Sequence, residues 1–330
     1  MVKITLSVCL LLSLSFNVYS ELQRPTESGF SGDILIGAVY LNNASLMNAD
    51  ENHQVLSSFS DTADTDRRLM PGLLGNAYYT FDSLVDQLYV GVSRTKATEG
   101  QLSPELGYRK LLEGRSSFTL AYIPNLIRTN TYSDPFVLDN ERDETEQSLS
   151  AVRAKWDSIV NTGISVELAY GELDIDKEQS GVYLDLSQTE ANLLNRRARY
   201  GYASVEMLLP LAKGIFLSPS IYGIDRAAEG DAYSYKAAGI ELGIFAVSGR
   251  HRYSANVRAA DYSYDSVNPV FDKQRDERKI SAFIGYFYQN PFDWKNTTFT
   301  IIGNYQDMKG NISFYEANSS TLATGLNWSF

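Results

Sequence analysis

The sequence predicts an all-β chain folded as a transmembrane antiparallel up-and-down β-barrel of about fourteen strands (roughly twelve to sixteen), with both termini in the periplasm. Three observations predict it. Apolar and polar residues alternate over successive segments, each near the roughly 9–11 residues that a tilted strand needs to cross a bilayer. The connections between these segments run long, short, long, short, as extracellular loops and periplasmic turns do in bacterial barrels. The composition is rich in aromatics (Tyr 22, Phe 15, Trp 3) while mean hydropathy is only −0.23, which fits strands that are apolar on one face.

The first residues read as an export signal. Met1, Val2 and Lys3 precede an apolar stretch from Ile4 to Phe16, then Val18, Tyr19 and Ser20 before Glu21. This is the order of a secretory signal peptide, and cleavage after Ser20 is expected. The apolar run falls below the roughly 18 residues of a spanning helix, which argues against an anchor. The expected organisation is a signal peptide at 1–20, a short periplasmic segment at 21–28 and the barrel at 29–330. Cys9 is the only cysteine and lies inside the apolar run, so the mature chain has no thiol for a disulfide, metal site or nucleophile. A net charge of −11 argues against a nucleic-acid partner, because phosphate binding needs clustered Lys and Arg.

The strands follow in order. The first, 29–41, sets Phe30, Ile34, Ile36, Ala38 and Tyr40 against Ser31, Asp33 and Gly37. After a polar stretch at 42–68 come 69–81 and 87–93, joined by a short turn. The pattern resumes at 101–111, turns at Glu113 and Gly114, and returns over 116–126 with Phe118, Leu120 and Tyr122 on one face. A long acidic loop is expected at 127–146. Segments 148–156 and 164–170 follow, the latter alternating Ile164, Val166, Leu168 and Tyr170 with Ser165, Glu167 and Ala169. A loop at 171–196 leads to 199–209, 215–224, 235–246, 251–262, 279–289, 297–306 and 316–330.

A soluble β-sandwich shares the alternation, but it has no reason to sort its connections by parity. Aromatic placement points the same way, since membrane barrels carry girdles at both interfaces. Phe81, Tyr108, Phe118, Trp156, Tyr253, Phe299, Trp328 and Phe330 fall near short-turn ends, and Tyr40, Tyr122, Tyr170, Tyr222, Tyr262 and Tyr305 near long-loop ends. Pro71, Pro104 and Pro124 fall near the expected outer rim, whereas Pro219 falls mid-strand, where its missing N–H is expected to disturb the ladder. Segments 148–160 and 189–195 have the mixed periodicity of a helical turn.

The last strand alternates Leu322, Thr324, Leu326, Trp328 and Phe330 with Ala323, Gly325, Asn327 and Ser329. With its terminal aromatic, it looks like the C-terminal signal (Leu326, Trp328, Phe330) that barrel-assembly machinery reads. The opening Gly29-Phe30-Ser31-Gly32, Asp134-Pro135-Phe136, Asn268-Pro269-Val270-Phe271 with Arg275 and Asp276, Asn311-Ile312-Ser313-Phe314-Tyr315 and the ending from Gly325 to Phe330 resemble the domain-of-unknown-function 2860 family. That resemblance runs over nearly the whole mature chain and implies an outer-membrane barrel without implying an activity. The last third, 271–330, is also similar in outline to the barrel of surface lipoprotein assembly modulators. Those carry helical repeats before the barrel, whereas here the barrel begins close to the expected cleavage site.

Chemistry is sparse. There are two histidines: His53 in the first long loop and His251 beside a short turn, both read as exposed loop residues rather than catalytic bases. No enzyme activity and no cofactor are expected. Asp134, Asp139, Glu141, Asp143, Glu144 and Glu146 in one loop, and Glu172, Asp174, Asp176 and Glu178 in the next, read as a solvated acidic rim without an ordered cation motif. Parity turns Glu105, Arg109, Arg153, Lys155, Glu167, Glu206, Glu241, Asn256, Arg258 and Asn304 toward the lumen, because facing lipid an Arg or Lys costs roughly 2–4 kcal/mol at the midplane. These charges either line a water-filled pore or pair across the lumen and close it. The expected role is a passive pore for small solutes, exported to the outer membrane of a Gram-negative bacterium. Its expected partners are outer-membrane lipid, lipopolysaccharide, the assembly machinery and the solutes themselves. The alternatives are a surface-interaction barrel with a plugged lumen, an outer-membrane hydrolase and a lipoprotein-translocating barrel.

Overall fold

The computed structural model describes residues 24–49, 53–92, 104–126 and 128–330; the expected signal peptide and the expected strand start at 101–103 lie outside the described residues. The strands are β1 (Gly29–Ser45), β2 (Asp66–Thr80), β3 (Asp86–Val92), β4 (Pro104–Leu111), β5 (Ser117–Ile123), β6 (Arg128–Tyr132), β7 (Glu144–Asp157) and β8 (Ile164–Ile175). They continue as β9 (Ala198–Met207), β10 (Leu209–Ala212), β11 (Ile215–Ala228), β12 (Tyr235–Ser248), β13 (His251–Asn268), β14 (Lys273–Gln289), β15 (Thr297–Gly310) and β16 (Ala317–Ser329).

Fourteen of these close into a ring of antiparallel neighbours. Each strand pairs with the next, β5 pairs with β7, β9 with β11, and β16 returns to β1 from Asp33↔Ser329 to Ser45↔Ala317. Phe330 extends that last ladder, exchanging backbone hydrogen bonds of 2.9 Å with Gly32 in both directions. Ring closure pairs each strand on both sides over at least part of its length, which is how a barrel satisfies backbone polar groups internally. Among the described residues no helix is long and apolar enough to cross a membrane.

The two remaining strands are continuations. β6 resumes on β7 the ladder that β5 leaves at Ile123↔Ala151, with its register displaced after Pro124. β10 resumes on β11 the ladder of β9, which stops at Ser220↔Glu206 and restarts at Leu217↔Leu209. Pro219 lies in that gap while still pairing with Leu242 on its other side. The strand is therefore unbroken, and the proline sits where one ladder lacks a bond.

The segment expected as one loop at 127–146 carries sheet at both ends, β6 and the first residues of β7, around a loop at 133–143. β8, β11, β13, β14 and β15 likewise run several residues beyond their expected ends toward the long-loop side. The reason is physical: above the apolar belt both faces of a strand meet water, so a stretch such as Thr129, Asn130 and Thr131 loses the alternation that marks it as sheet. Connections at the opposite end are tight, with Gly214 (φ 74°) and Gly249 (φ 58°) supplying the left-handed backbone of hairpin turns. The mixed-periodicity segments contain a 3₁₀ turn, Ile159–Asn161, and a short helix, Gln188–Asn192.

The outer face carries exposed aliphatic side chains around the ring, among them Ile36, Leu73, Leu106, Leu168, Ile221 and Ile284. A contiguous apolar exterior of this kind suits hydrocarbon. Phe118, Trp156, Tyr253 and Trp328 are exposed near one rim, and Tyr40, Tyr122, Tyr170 and Tyr305 near the other. Tyr222 and Tyr262 do not join the outer belt. They are 7 % and 4 % exposed and face inward, because their strand neighbours Ile221 and Asp261 occupy the outer face.

Candidate functional site: a chamber beneath a roof of loops

A ring of fourteen strands is too wide for its own side chains to fill, since eight already leave an interior just wide enough for them. At the long-loop end the gap is covered by the loops themselves. Leu46 and Leu56 (loop 46–65), Phe136 (133–143), Leu194 (176–197), Tyr233 (229–234) and Phe314 (311–316) form one apolar core, although their loops start from all around the ring. Phe59, Phe136, Phe271 and Phe314 interlock with ring centroids 5.5–6.3 Å apart. Each buried phenyl ring contributes about 1.5–3 kcal/mol to holding this roof together.

Polar groups fix the roof's geometry. Asp134 is buried and accepts hydrogen bonds from the backbone N–H groups of Phe136 (2.9 Å), Gly181 (3.0 Å) and Tyr183 (3.3 Å), tying two loops. Arg142, also buried, lies over the Tyr132 ring (3.7 Å) and donates to the carbonyls of His53 (Nε, 3.0 Å), Leu46 (Nη1, 2.9 Å) and Pro135 (Nη1, 3.3 Å). Two expectations are corrected here. Asp134 and Glu178 are not part of a solvated rim: the first organises backbone, and the second is buried against Arg196. His53, expected to be exposed, is 2 % exposed beneath the loops. The rest of the acidic stretch does face water and pairs locally, as in Arg128 with Glu146 (3.0 Å) and Asp176 (2.7 Å). Among the described residues no His, Cys, Asp and Glu cluster could hold a metal ion.

Below the roof lies a chamber of about 390 Å³. β8, β9, β11, β13 and β14 each bring their loop-side ends to it, presenting Ile175, Tyr200, Tyr202, Arg226, Tyr262, Tyr264 and Arg275, while Arg196, Tyr233 and Tyr315 come down from the loops. Arg196 is held by Glu178 (Nε–Oε2 2.8 Å) and by the carbonyls of Tyr132 and Ser133. Arg275 is held by Glu277 (Nε–Oε1 2.6 Å) and stacks on Tyr315 (3.7 Å) and Tyr264 (4.4 Å). Tyr315 accepts from Asn268 Nδ2 (2.7 Å) and meets the Tyr233 hydroxyl at 3.2 Å. Burial pushes the Tyr315 hydroxyl well above the ordinary phenol range and the Tyr233 hydroxyl up as well, so both stay neutral.

All ten residues expected on the inner face point inward, and the structure divides them into groups. Glu105, Arg153 and Glu167 meet: Arg153 donates to Glu105 through Nε (3.1 Å) and Nη2 (2.5 Å), and its Nη1 lies 3.6 Å from Glu167. The Tyr89 hydroxyl closes the group on Glu105. Arg258 sits 3.9 Å over the Tyr222 ring and 3.8 Å from Glu241. Arg109 lies over Tyr89, Lys155 pairs with Asp157 (2.7 Å), and Glu206, Asn256 and Asn304 are inward but outside these groups. Next to Asn256 and Asn304 the inner wall is apolar, with Val39, Leu41, Phe283, Phe287 and Ile302 packed together. Leu326, Trp328 and Phe330 stand on the outer face. The sequence reading missed Arg196, Arg226 and the chamber tyrosines as site residues. Arg226 lay just past the expected strand end at Ile224, and extending that strand's parity places it inside.

No curated protein matches the chain. Among solved structures, the chain is similar to a loop-deletion mutant of OmpT, an outer membrane protein of Vibrio cholerae, at 10% identity and TM-score 0.46, covering 92% of this chain and 100% of that one. It is similar to the outer membrane channel DcaP of Acinetobacter baumannii at 10% identity and TM-score 0.44, covering 92% and 98%. Residues 29–329, the whole barrel, match the family described as "Protein of unknown function (DUF2860)", and the chain belongs to that family.

Proposed function

We propose that the chain is an outer-membrane β-barrel that passes small solutes through its lumen, with the loop roof as the closed state of that passage and both termini on the periplasmic side. The observation that carries this reading is the unfilled chamber: behind the roof the lumen is lined by arginines, tyrosines and apolar side chains and holds about 390 Å³ of space. An interior whose purpose is rigidity would be packed, as protein cores are. On this reading export uses residues 1–20 as a signal peptide, and assembly uses the terminal Leu326, Trp328 and Phe330 as its recognition strand. Lipopolysaccharide would meet the outer loops.

One observation favours a second reading, a plugged surface-interaction barrel: the roof core gathers side chains from loops on all sides of the ring. Planar-bilayer recording separates the two. A passage predicts discrete conductance steps from the refolded full chain, with longer open times once Asp134→Ala loosens the roof. A silent bilayer for both proteins, each shown folded by heat-modifiable migration, would leave the surface role.

A further inference from the structure

The chamber's walls differ from the chain as a whole. The protein has 40 acidic and 29 basic side chains, yet among the described residues the chamber is lined by three arginines and by no aspartate or glutamate. Two of those guanidiniums are neutralised from behind, Arg196 by Glu178 and Arg275 by Glu277. The third is not. Arg226 donates Nη2 to the carbonyl of Arg196 (2.8 Å), its Nε is buried without a partner, and among the described residues no carboxylate forms an ion pair with it. The faces of Tyr200, Tyr233 and Tyr235 surround its guanidinium at 5.4, 5.7 and 5.8 Å. Arg226 is half-buried and faces the chamber; rings soften the cost of a partly desolvated cation, but a charge withdrawn from bulk water is ordinarily paired. Among the described residues the chamber therefore has one positive charge with no carboxylate partner.

We propose that this chamber binds a small organic monoanion, a carboxylate on an aromatic or apolar body, with Arg226 taking the carboxylate. The class follows from the walls. A guanidinium holds a carboxylate through two parallel N–H donors. Phenol hydroxyls nearby add neutral donors that cannot repel it. Tyrosine faces together with Met47, Leu173, Ile175 and Met308 give the remainder of the ligand an apolar bed, and the volume falls within the roughly 300–1,000 Å³ of small-molecule sites. A dianion would exceed the charge on offer, and a cation would meet three arginines. The inference rests on the passage reading, whose solute class it names.

Benzoate is the direct probe. Isothermal titration of the refolded full chain in detergent is expected to give saturable, one-site binding. Benzyl alcohol, with the same ring and no charge, should bind at least about tenfold more weakly, as loss of a charge-assisted hydrogen-bonded pair implies. Acetate, with the charge and no ring, should also be at least about tenfold weaker. Arg226→Gln should remove the preference for benzoate over benzyl alcohol, and Arg226→Lys should restore part of it. Benzoate that does not bind, or benzyl alcohol that binds equally to the wild type, overturns the proposal without reference to any variant. An unchanged preference in folded Arg226→Gln overturns the role of Arg226. Conductance with no benzoate binding defeats the anion site and leaves the passage, while benzoate binding in a silent bilayer defeats the passage and leaves the site.

Discussion

Two arginines on the inner wall meet opposite fates. Arg153, on β7, is clasped by Glu105, faced by Glu167 and closed off by Tyr89, so its charge is consumed within the wall. Arg226, at the loop end of β11, has aromatic faces and a backbone carbonyl but no carboxylate among the described residues. The same residue type thus serves two ends. Where its counter-charges are built in, an inward arginine ties strands together; where they are left out, the wall keeps a capacity for something from outside.

The sharpest way to break this comparison is to delete the counter-charge. Glu105→Ala leaves Arg153 with the longer Glu167 contact and the Tyr89 hydroxyl, and removing one member of a buried ion pair costs about 3–5 kcal/mol. Denaturant unfolding of the refolded protein in detergent should show a loss of that size. A change near zero would mean the cluster is not structural.

The next effect compares outside with inside. Ile301→Arg places a cation on the outer face and should destabilise by about 2–4 kcal/mol. Asn304→Ala, three residues on but inward, should cost less than about 1.5 kcal/mol. Equal heat-modifiable folding of the two would invalidate the assignment of faces. In the roof, Asp134→Ala removes the acceptor of three backbone N–H groups, each worth about 1 kcal/mol. Hydrogen exchange should rise at Phe136, Gly181 and Tyr183 and stay unchanged in the barrel wall.

Arg226→Gln should alter stability least, by about 1 kcal/mol or less in either direction, because it removes a half-buried charge that has no ionic partner among the described residues to abandon. The same denaturant curves check it. A loss as large as that of Glu105→Ala would show that a counter-charge is present after all.

Alternation read along single segments was enough to place fourteen strands and to turn Glu105, Arg153 and Glu167 inward, since both facts are local and recur every second residue. Strand ends were less legible. Above the apolar belt a strand such as β6 is polar on both faces, and nothing in Thr129-Asn130-Thr131 distinguishes it from a loop. The roof was not legible at all: Leu46, Phe136, Leu194 and Phe314 have no shared period, and only closure of the ring brings their loops together. Asp134–Phe136, Asn268–Phe271 and Asn311–Tyr315, the stretches that carried the family resemblance, all supply roof residues. The charge character of the chamber depends on a negative fact, the absence of a carboxylate beside Arg226 among the described residues, which no linear reading of an acidic chain would suggest.

In a membrane-spanning barrel, neighbouring residues of one strand meet different media. Nitroxides attached at Leu168→Cys and at Glu167→Cys, each on a Cys9→Ser background in lipid vesicles, report this directly through their relaxation by oxygen and by a water-soluble nickel chelate. Leu168 should be relaxed mainly by oxygen and Glu167 mainly by the chelate, with the contrast alternating along β8. Both sites responding alike to the chelate would mean that the outer face meets water, and the barrel would then not be a membrane protein.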